Sequence, residues 1–122
     1  MRDIKIVLER WGGWASQCDS GLYYSTMAAG FKGLIVRGSN KRLTCTDNDA
    51  LIIDGCLARL KNKRPYEHSL LVAHYLFGVS KRSIAKRLKK NEKQIRVEIL
   101  MAEGFIDGCL ASLEVKMEMD IQ

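Results

Sequence analysis

Apolar residues recur every three or four positions along much of the chain, which is the spacing of helices that bury one face. In the first such run the apolar positions are Ile4, Val7, Leu8 and Trp11, and Asp3 precedes them as a candidate N-cap. We interpret this stripe as part of a hydrophobic core.

A second run, DNDALIIDGCLARLKNK at residues 47–63, predicts the clearest helix of the first half. Thr46 or Asp47 can cap it, and its acidic first turn and basic last turn match the helix dipole. The apolar face is expected from Leu51, Ile52, Leu57 and Leu60. After Pro65, the segment YEHSLLVAHYLFG predicts another helix that ends near Gly78.

The segment VSKRSIAKRLKKNEKQIRVEI, residues 79–99, combines helical apolar spacing with eight Lys and Arg side chains. Ser80 is placed to cap one helix and Asn91 to cap the next, and Gln94 three residues later completes a candidate capping box. The positions expected to face the core are Ile84, Ala85, Leu88, Ile95, Ile99, Ala102 and Ile106. The basic residues are then left to face an acidic partner.

Three consecutive helices joined by short turns are typical of a helix-turn-helix unit. The predicted helices span residues 67–77, 80–89 and 92 onward. We therefore expect an all-α fold in one compact domain over residues 1–122. Its parts are an N-terminal helical body, residues 1–66, and a helix-turn-helix part with a long C-terminal recognition helix, residues 67–122.

The N-terminal end of a recognition helix enters the major groove, so the outward residues near position 92 are the candidate base readers. Lys93 and Arg96 can donate to guanine O6 and N7, and Glu92 can accept from cytosine N4. Val97 can contact a thymine methyl group. Ile95 is expected to turn inward instead.

Three further polar residues have less specific roles. Gln94 either completes the cap or reads adenine, and capping is the favoured interpretation. Lys81 and Arg82, at the start of the preceding helix, are expected to contact backbone phosphates, which position a protein without reading sequence.

The charge distribution supports a nucleic-acid partner. The formal net charge is +6, yet residues 67–96 carry eight basic and two acidic side chains, whereas residues 97–122 carry one and six. A charge run usually marks only a solvated face. Here Glu92 is the single acid between residues 81 and 96, and solvation alone does not explain that imbalance.

Other classes of function are disfavoured by composition. The 122 residues suit one domain, and the sequence lacks both a membrane-length apolar run and a signal peptide, so a cytoplasmic protein is expected. The cysteines are too scattered for a zinc site, so neither a metal nor a cofactor is expected. No nucleophile–base spacing or phosphate-binding glycine motif indicates an enzyme. The four cysteines are Cys18, Cys45, Cys56 and Cys109.

Several stretches together are similar to a known family. MRDIKIVLERWGGWA at the start, AAGFKGLI, DNDALIIDGCLARLK and the closing AEGFIDGCLASLEVKMEMDI resemble, in order, the phage antitermination protein Q family of the lambdoid type related to phage 21. Separately, GVSKRSIAKRLKKNEKQIRVEILMA resembles the DNA-reading region 4 of bacterial sigma factors, a more generic likeness.

The family resemblance implies a regulator of late phage transcription. Such a protein binds a double-stranded DNA element near the late promoter and loads onto paused, sigma-containing bacterial RNA polymerase. It narrows the RNA exit channel, so that terminator hairpins cannot form. Nascent RNA and a second protomer on the DNA are further candidate partners, and no membrane is involved.

The resemblance also implies roles for the N-terminal half. Its residues would build the body that meets polymerase, and we infer that a basic stretch there lines a path for RNA. The body residues are Trp11, Phe31, Lys32 and Gly33, and the basic residues are Arg37, Lys41 and Arg42. The reader positions differ among such proteins, so the DNA target is not implied.

Two alternatives to antitermination stay open at the level of sequence. A conventional helix-turn-helix regulator would occupy an operator without acting downstream, and it commonly dimerises on palindromic sites. An RNA-binding module is less consistent with residues 79–99, because aromatic residues are absent from that basic segment.

Overall fold

The computed structural model describes residues 3–17, 43–114 and 116–120, and within these ranges every regular element is helical. The α-helices are α1 (Ile4–Gln17), α2 (Asp47–Lys63), α3 (Pro65–Leu71), α4 (Lys81–Leu88) and α5 (Glu92–Leu113). A π-helical segment, Val72–Leu76, extends α3, and a 3-10 turn, Glu118–Asp120, follows α5. The predicted all-α class is confirmed.

Side-chain caps explain where four of the helices begin. In each case a side-chain oxygen accepts a hydrogen bond from a backbone N–H of the first turn, which would otherwise lack a partner. The caps are Asp3, Thr46, Ser80 and Asn91, with bond lengths of 3.0, 3.3, 3.1 and 2.8 Å. All four had been singled out from sequence as capping positions.

The hydrophobic core is continuous through the described residues and includes side chains from all five helices. Helix α5 packs against α1, α2, α3 and α4. The largest fully buried side chains are Leu8, Ile53, Leu60, Leu70, Leu71, Ile84, Ile95, Ile99, Ile106, Leu110 and Met117. The described residues therefore form one compact all-α unit whose core continues across residue 66.

The predicted apolar face of α2 is wrong at one position. Leu51 is 64% exposed, whereas Ile53 is fully buried. The buried positions run from Ala50 through Ile53 and Leu57 to Leu60, steps of three and four that follow the helical period. Leu51 lies about 160° around the helix from Ile53, nearly on the opposite side, so it faces solvent.

The C-terminal apolar stripe is divided between two segments. The spacing of Leu110, Leu113 and Met117 by three and four residues predicts one helix that buries all three, but α5 ends at Leu113, and Glu114 adopts a left-handed φ of 53°. Leu113 is consequently 40% exposed, while Met117 reaches the core from the segment that follows.

Asp49, in the first turn of α2, holds that C-terminal segment in place. Its side chain is buried and accepts the backbone N–H of Glu118 at 2.7 Å and of Met119 at 2.9 Å. Asp120 caps the same turn by accepting the Met117 N–H at 3.1 Å. These bonds anchor the acidic C-terminal segment against the N-terminal half.

A buried polar group also links the two halves. Glu103 of α5 is 1% exposed, accepts the Tyr75 hydroxyl at 2.5 Å and faces the Lys5 ammonium at 3.4 Å. Burial, together with the adjacent Glu103 carboxylate, raises the pKa of Tyr75. Lys5 belongs to α1, so this contact fixes α1 against α5.

Candidate nucleic-acid interface

Helices α4 and α5 are joined by a three-residue turn, residues 89–91. Lys89 ends α4 with a left-handed φ of 57°, and the Lys90 N–H bonds to the Ala85 carbonyl at 2.8 Å. Asn91 then caps α5 directly. The two helices and the tight turn that the sequence predicts are therefore present, while their action as a DNA-binding helix-turn-helix stays a prediction.

The inward side of this pair is apolar, as its periodicity predicts. Ile84 and Ala85 of α4 are buried, and so are Ile95 and Ile99 of α5. Val79, just before α4, joins the same cluster. This packing fixes which face of α5 is left for solvent.

The outward side of the first turns of α5 collects the predicted base readers. Lys93, Gln94, Arg96 and Val97 are exposed, and the Glu92 side chain is 38% exposed. On α4, Arg82 is exposed and Lys81 is half-buried. The outward direction expected for the readers is thus observed, while their contact with DNA stays a prediction.

Two of the predicted readers interact with each other. Arg96 Nε donates a hydrogen bond to Glu92 Oε2 at 2.9 Å, and the same oxygen lies 2.8 Å from Arg96 Nη2. A spacing of four residues places Glu92 and Arg96 on one helix face, so this ion pair could have been predicted from the sequence. The guanidinium is oriented by a carboxylate before any ligand arrives, and the pair lowers the positive charge of the surface.

The expected capping box at the start of α5 is not formed. Asn91 accepts the N–H of Lys93 at 2.8 Å, one residue earlier than that motif requires. Within the residues the structure describes, the Gln94 side chain makes no bond back to the Asn91 N–H. The Gln94 side chain is exposed to solvent.

Lys90 departs from its expected role as part of a phosphate-facing basic run. Its Nζ donates to the Tyr66 hydroxyl at 2.7 Å and lies 3.5 Å from Glu98 Oε1. Sequence reasoning missed Tyr66 and Glu98, because Tyr66 lies 24 residues from Lys90 and only the tertiary fold brings them together.

The N-terminal residues assigned by resemblance are only partly described. Trp11 is buried, and its indole N–H donates to Asp54 Oδ1 at 2.8 Å, which ties α1 to α2. Burial raises the pKa of Asp54, and the bond from Trp11 opposes that rise. Outside the described residues lie Phe31, Lys32, Gly33, Arg37, Lys41 and Arg42.

Three observations on the described residues concern metal binding, membrane crossing and thiol reactivity. Within them, no three His, Cys, Asp or Glu side chains are grouped where a metal ion could bind. Among the described helices, none combines the length and apolarity that crossing a membrane requires. Burial raises the pKa of the Cys45 thiol to about 11, so that thiol is not activated as a nucleophile.

Comparison with known proteins identifies the family. The model for phage antitermination protein Q matches residues 1–118. The chain belongs to this family. The family resemblance carried by the sequence stretches is therefore confirmed, and the match includes both the N-terminal body and the α4–α5 pair.

Named relatives of the Q family align over nearly the whole chain. A probable antitermination protein Q of Acyrthosiphon pisum secondary endosymbiont phage 1 is 50% identical over 120 residues, covering 98% of this chain and 81% of the relative. The prophage antitermination protein Q homolog QuuD of Escherichia coli K12 is 45% identical over 121 residues, covering 99% and 95%. Antitermination protein Q of Escherichia phage 933W is 42% identical over 120 residues, covering 98% and 83%. No solved structure matches the chain.

Proposed function

We propose that this protein is a phage late-gene antitermination factor. In this proposal it binds a double-stranded DNA element near a late promoter, loads onto paused RNA polymerase and suppresses termination downstream. Membership of the Q family over residues 1–118 is the observation that carries the proposal. The named relatives at 42–50% identity support antitermination as the outcome.

The surface of α5 supports DNA binding as the loading step. Its apolar residues face the core, while Lys93, Arg96 and Val97 are exposed on its first turns. A helix end of this kind suits the major groove, where guanidinium and ammonium groups read guanine. Lys81 and Arg82 at the start of α4 add charge beside it for backbone phosphates.

The polymerase contact is assigned to the N-terminal body, residues 1–66, and the mechanism is assigned to the RNA exit channel. Both assignments extend the family resemblance. The two parts share one core, and Asp49 and Glu103 tie the N-terminal body to α5 and the segment after it. Rigid coupling would let a DNA-bound α5 present the body to polymerase in a defined orientation.

Single-round transcription tests the proposal. Purified bacterial RNA polymerase transcribes through a strong terminator from a late promoter that carries a DNA site enriched by this protein from a random library, with and without this protein. We expect read-through that requires the promoter-proximal DNA. Because Lys93→Ala and Arg96→Ala remove exposed reader charges, the double variant should lose that read-through, while Lys116→Ala, a control at an exposed basic residue after α5, should keep it.

A second outcome separates antitermination from conventional regulation. If the protein protects the enriched DNA site at the promoter but never increases read-through of the terminator, the antitermination proposal is overturned. A helix-turn-helix regulator that only occupies DNA would remain.

A further inference from the structure

Lys90 joins three elements of the α3–α5 region. Its Nζ donates to the hydroxyl of Tyr66, in the first turn of α3, at 2.7 Å, and it lies 4.3 Å from the centroid of that ring. The same Nζ lies 3.5 Å from Oε1 of Glu98, in the second turn of α5. Lys90 itself lies in the turn between α4 and α5.

The three side chains are also coupled electrostatically. Burial and the neighbouring Glu98 carboxylate raise the pKa of Tyr66, and the bond to Tyr66 raises the pKa of Lys90. The Glu98 side chain is only 16% exposed. Lys90 is therefore cationic, and its ammonium group already contacts Tyr66 and Glu98 within the protein.

We propose that Lys90, held by Tyr66 and Glu98, is a positioning residue that sets the orientation of the reader end of α5. The proposal rests on the proposed DNA-binding function. Apolar contacts at Ile95 and Ile99 hold α5 in the core but have little directional preference. Hydrogen bonds depend on angle and distance, so the Lys90 contacts restrict rotation of α5 relative to α3.

Orientation matters here because bidentate base recognition needs precise geometry. Arg96 lies two residues before Glu98, so a rotation of α5 that loosens the Glu98 contact also moves the guanidinium. Contacts with phosphates tolerate such a shift better, because they are more numerous and depend mainly on charge. Loss of the Lys90 contacts should therefore weaken sequence discrimination more than general DNA affinity.

Tyr66→Phe is the first test, because it keeps the ring and all charges and removes only the hydroxyl. The probes are a duplex enriched by the wild-type protein from a random DNA library and a shuffled duplex of the same composition. We expect affinity for the enriched duplex to fall about two- to tenfold, the range of one net hydrogen bond. Affinity for the shuffled duplex should stay unchanged.

Tyr75→Phe is the matched control. It also removes one tyrosine hydroxyl, but the one bonded to Glu103, farther along α5 from the readers. It should lower the free energy of unfolding while leaving the ratio of the two affinities as in wild type. Equal loss of discrimination in both variants would show general destabilisation and would overturn the positioning role.

Lys90→Met separates positioning from phosphate contact. A phosphate contact would reduce the slope of log affinity against log salt by about 0.9 and weaken both duplexes equally. A positioning residue leaves the slope unchanged and weakens only the enriched duplex.

The remaining outcomes distinguish this proposal from the one it rests on. If the wild-type protein enriches no DNA from the library, sequence-specific DNA binding is overturned and the role of Lys90 falls with it. If the wild type discriminates and Tyr66→Phe discriminates equally well, only the positioning role is overturned.

Discussion

Arg96 is bound by Glu92 one helical turn earlier, with Nε and Nη2 lying 2.9 and 2.8 Å from the same carboxylate oxygen. Both side chains lie on the outward face of α5. A ligand that needs the guanidinium must either accept it in this orientation or displace the carboxylate. Substitutions at Glu92 and Arg96 can therefore distinguish general electrostatic attraction to DNA from recognition of its sequence.

Glu92→Gln should increase general DNA affinity. The change removes a negative charge from the DNA-facing surface and releases Arg96, an effect of about two- to fivefold for an exposed ion pair. Discrimination between enriched and shuffled duplexes should fall at the same time, because Arg96 is less restrained. Fluorescence anisotropy on both duplexes measures this, and unchanged affinity for the shuffled duplex would contradict it.

Arg96→Ala should weaken binding to the enriched duplex by about 1–3 kcal/mol if the guanidinium reads a base. The shuffled duplex should lose much less affinity. Both titrations should be made at one salt concentration, because binding of this kind depends steeply on salt. Equal losses on the two duplexes would identify Arg96 as a phosphate contact.

Asp49→Ala should lower the free energy of unfolding by about 1–3 kcal/mol, because two backbone N–H groups lose their acceptor. Urea denaturation followed by circular dichroism measures the change. Asn48→Ala, at an exposed position in the same turn, is the control and should have little effect. Similar losses in both variants would mean that the cap on the C-terminal segment contributes no stability.

Ile53→Ala should cost about 2–5 kcal/mol of stability, the usual penalty for emptying a core site. Leu51→Ala, two residues earlier, should change stability by less than about 0.5 kcal/mol, because that side chain is 64% exposed. The two urea midpoints test the register of α2, and a large effect at Leu51 would show that the register is different.

Stability should decrease as the pH falls below neutrality, in part through His68. Burial, with a smaller contribution from Lys61, lowers the pKa of His68 from 6.5 to about 4. The unfolded chain therefore takes up the proton first. The stability gained by keeping the imidazole neutral is complete above pH 6.5 and is lost as the pH falls toward about 4.

His68→Gln tests this dependence. The variant removes the titrating group, so the urea midpoint should fall less between pH 7.5 and 5 than in wild type. Burial also lowers the pKa of His74, which should leave part of the dependence in place. An identical pH profile for variant and wild type would exclude His68 as a source.

Local signals in the sequence predicted much of the fold. Capping residues such as Ser80 and Asn91 and the apolar period of α5 act within one or two turns, so they are visible in a single chain. The face of α2 was harder to predict, because Leu51, Ile52 and Ile53 are adjacent and apolar. Which of the three is buried depends on how α2 packs against its neighbours.

The same distinction applies to the candidate interface. The outward direction of Lys93 and Arg96 could be predicted from the inward direction of Ile95, because all three lie within about one helical turn. The hydrogen bond from Lys90 to Tyr66 was not predictable, because Tyr66 is distant in sequence and no local pattern marks Tyr66 as a partner of Lys90. A run of basic residues shows where positive charge lies in the sequence, but tertiary contacts decide which of these side chains can still bind a partner.

The attachment of the C-terminal segment to Asp49 has a consequence for how the protein is made. Met117 completes the core, and Glu118 and Met119 bind a side chain 69 and 70 residues earlier. A growing polypeptide on the ribosome cannot make these contacts until residue 119 has emerged. Until these residues have emerged, the core lacks Met117 and Asp49 lacks its two N–H donors, so the fold stays incomplete.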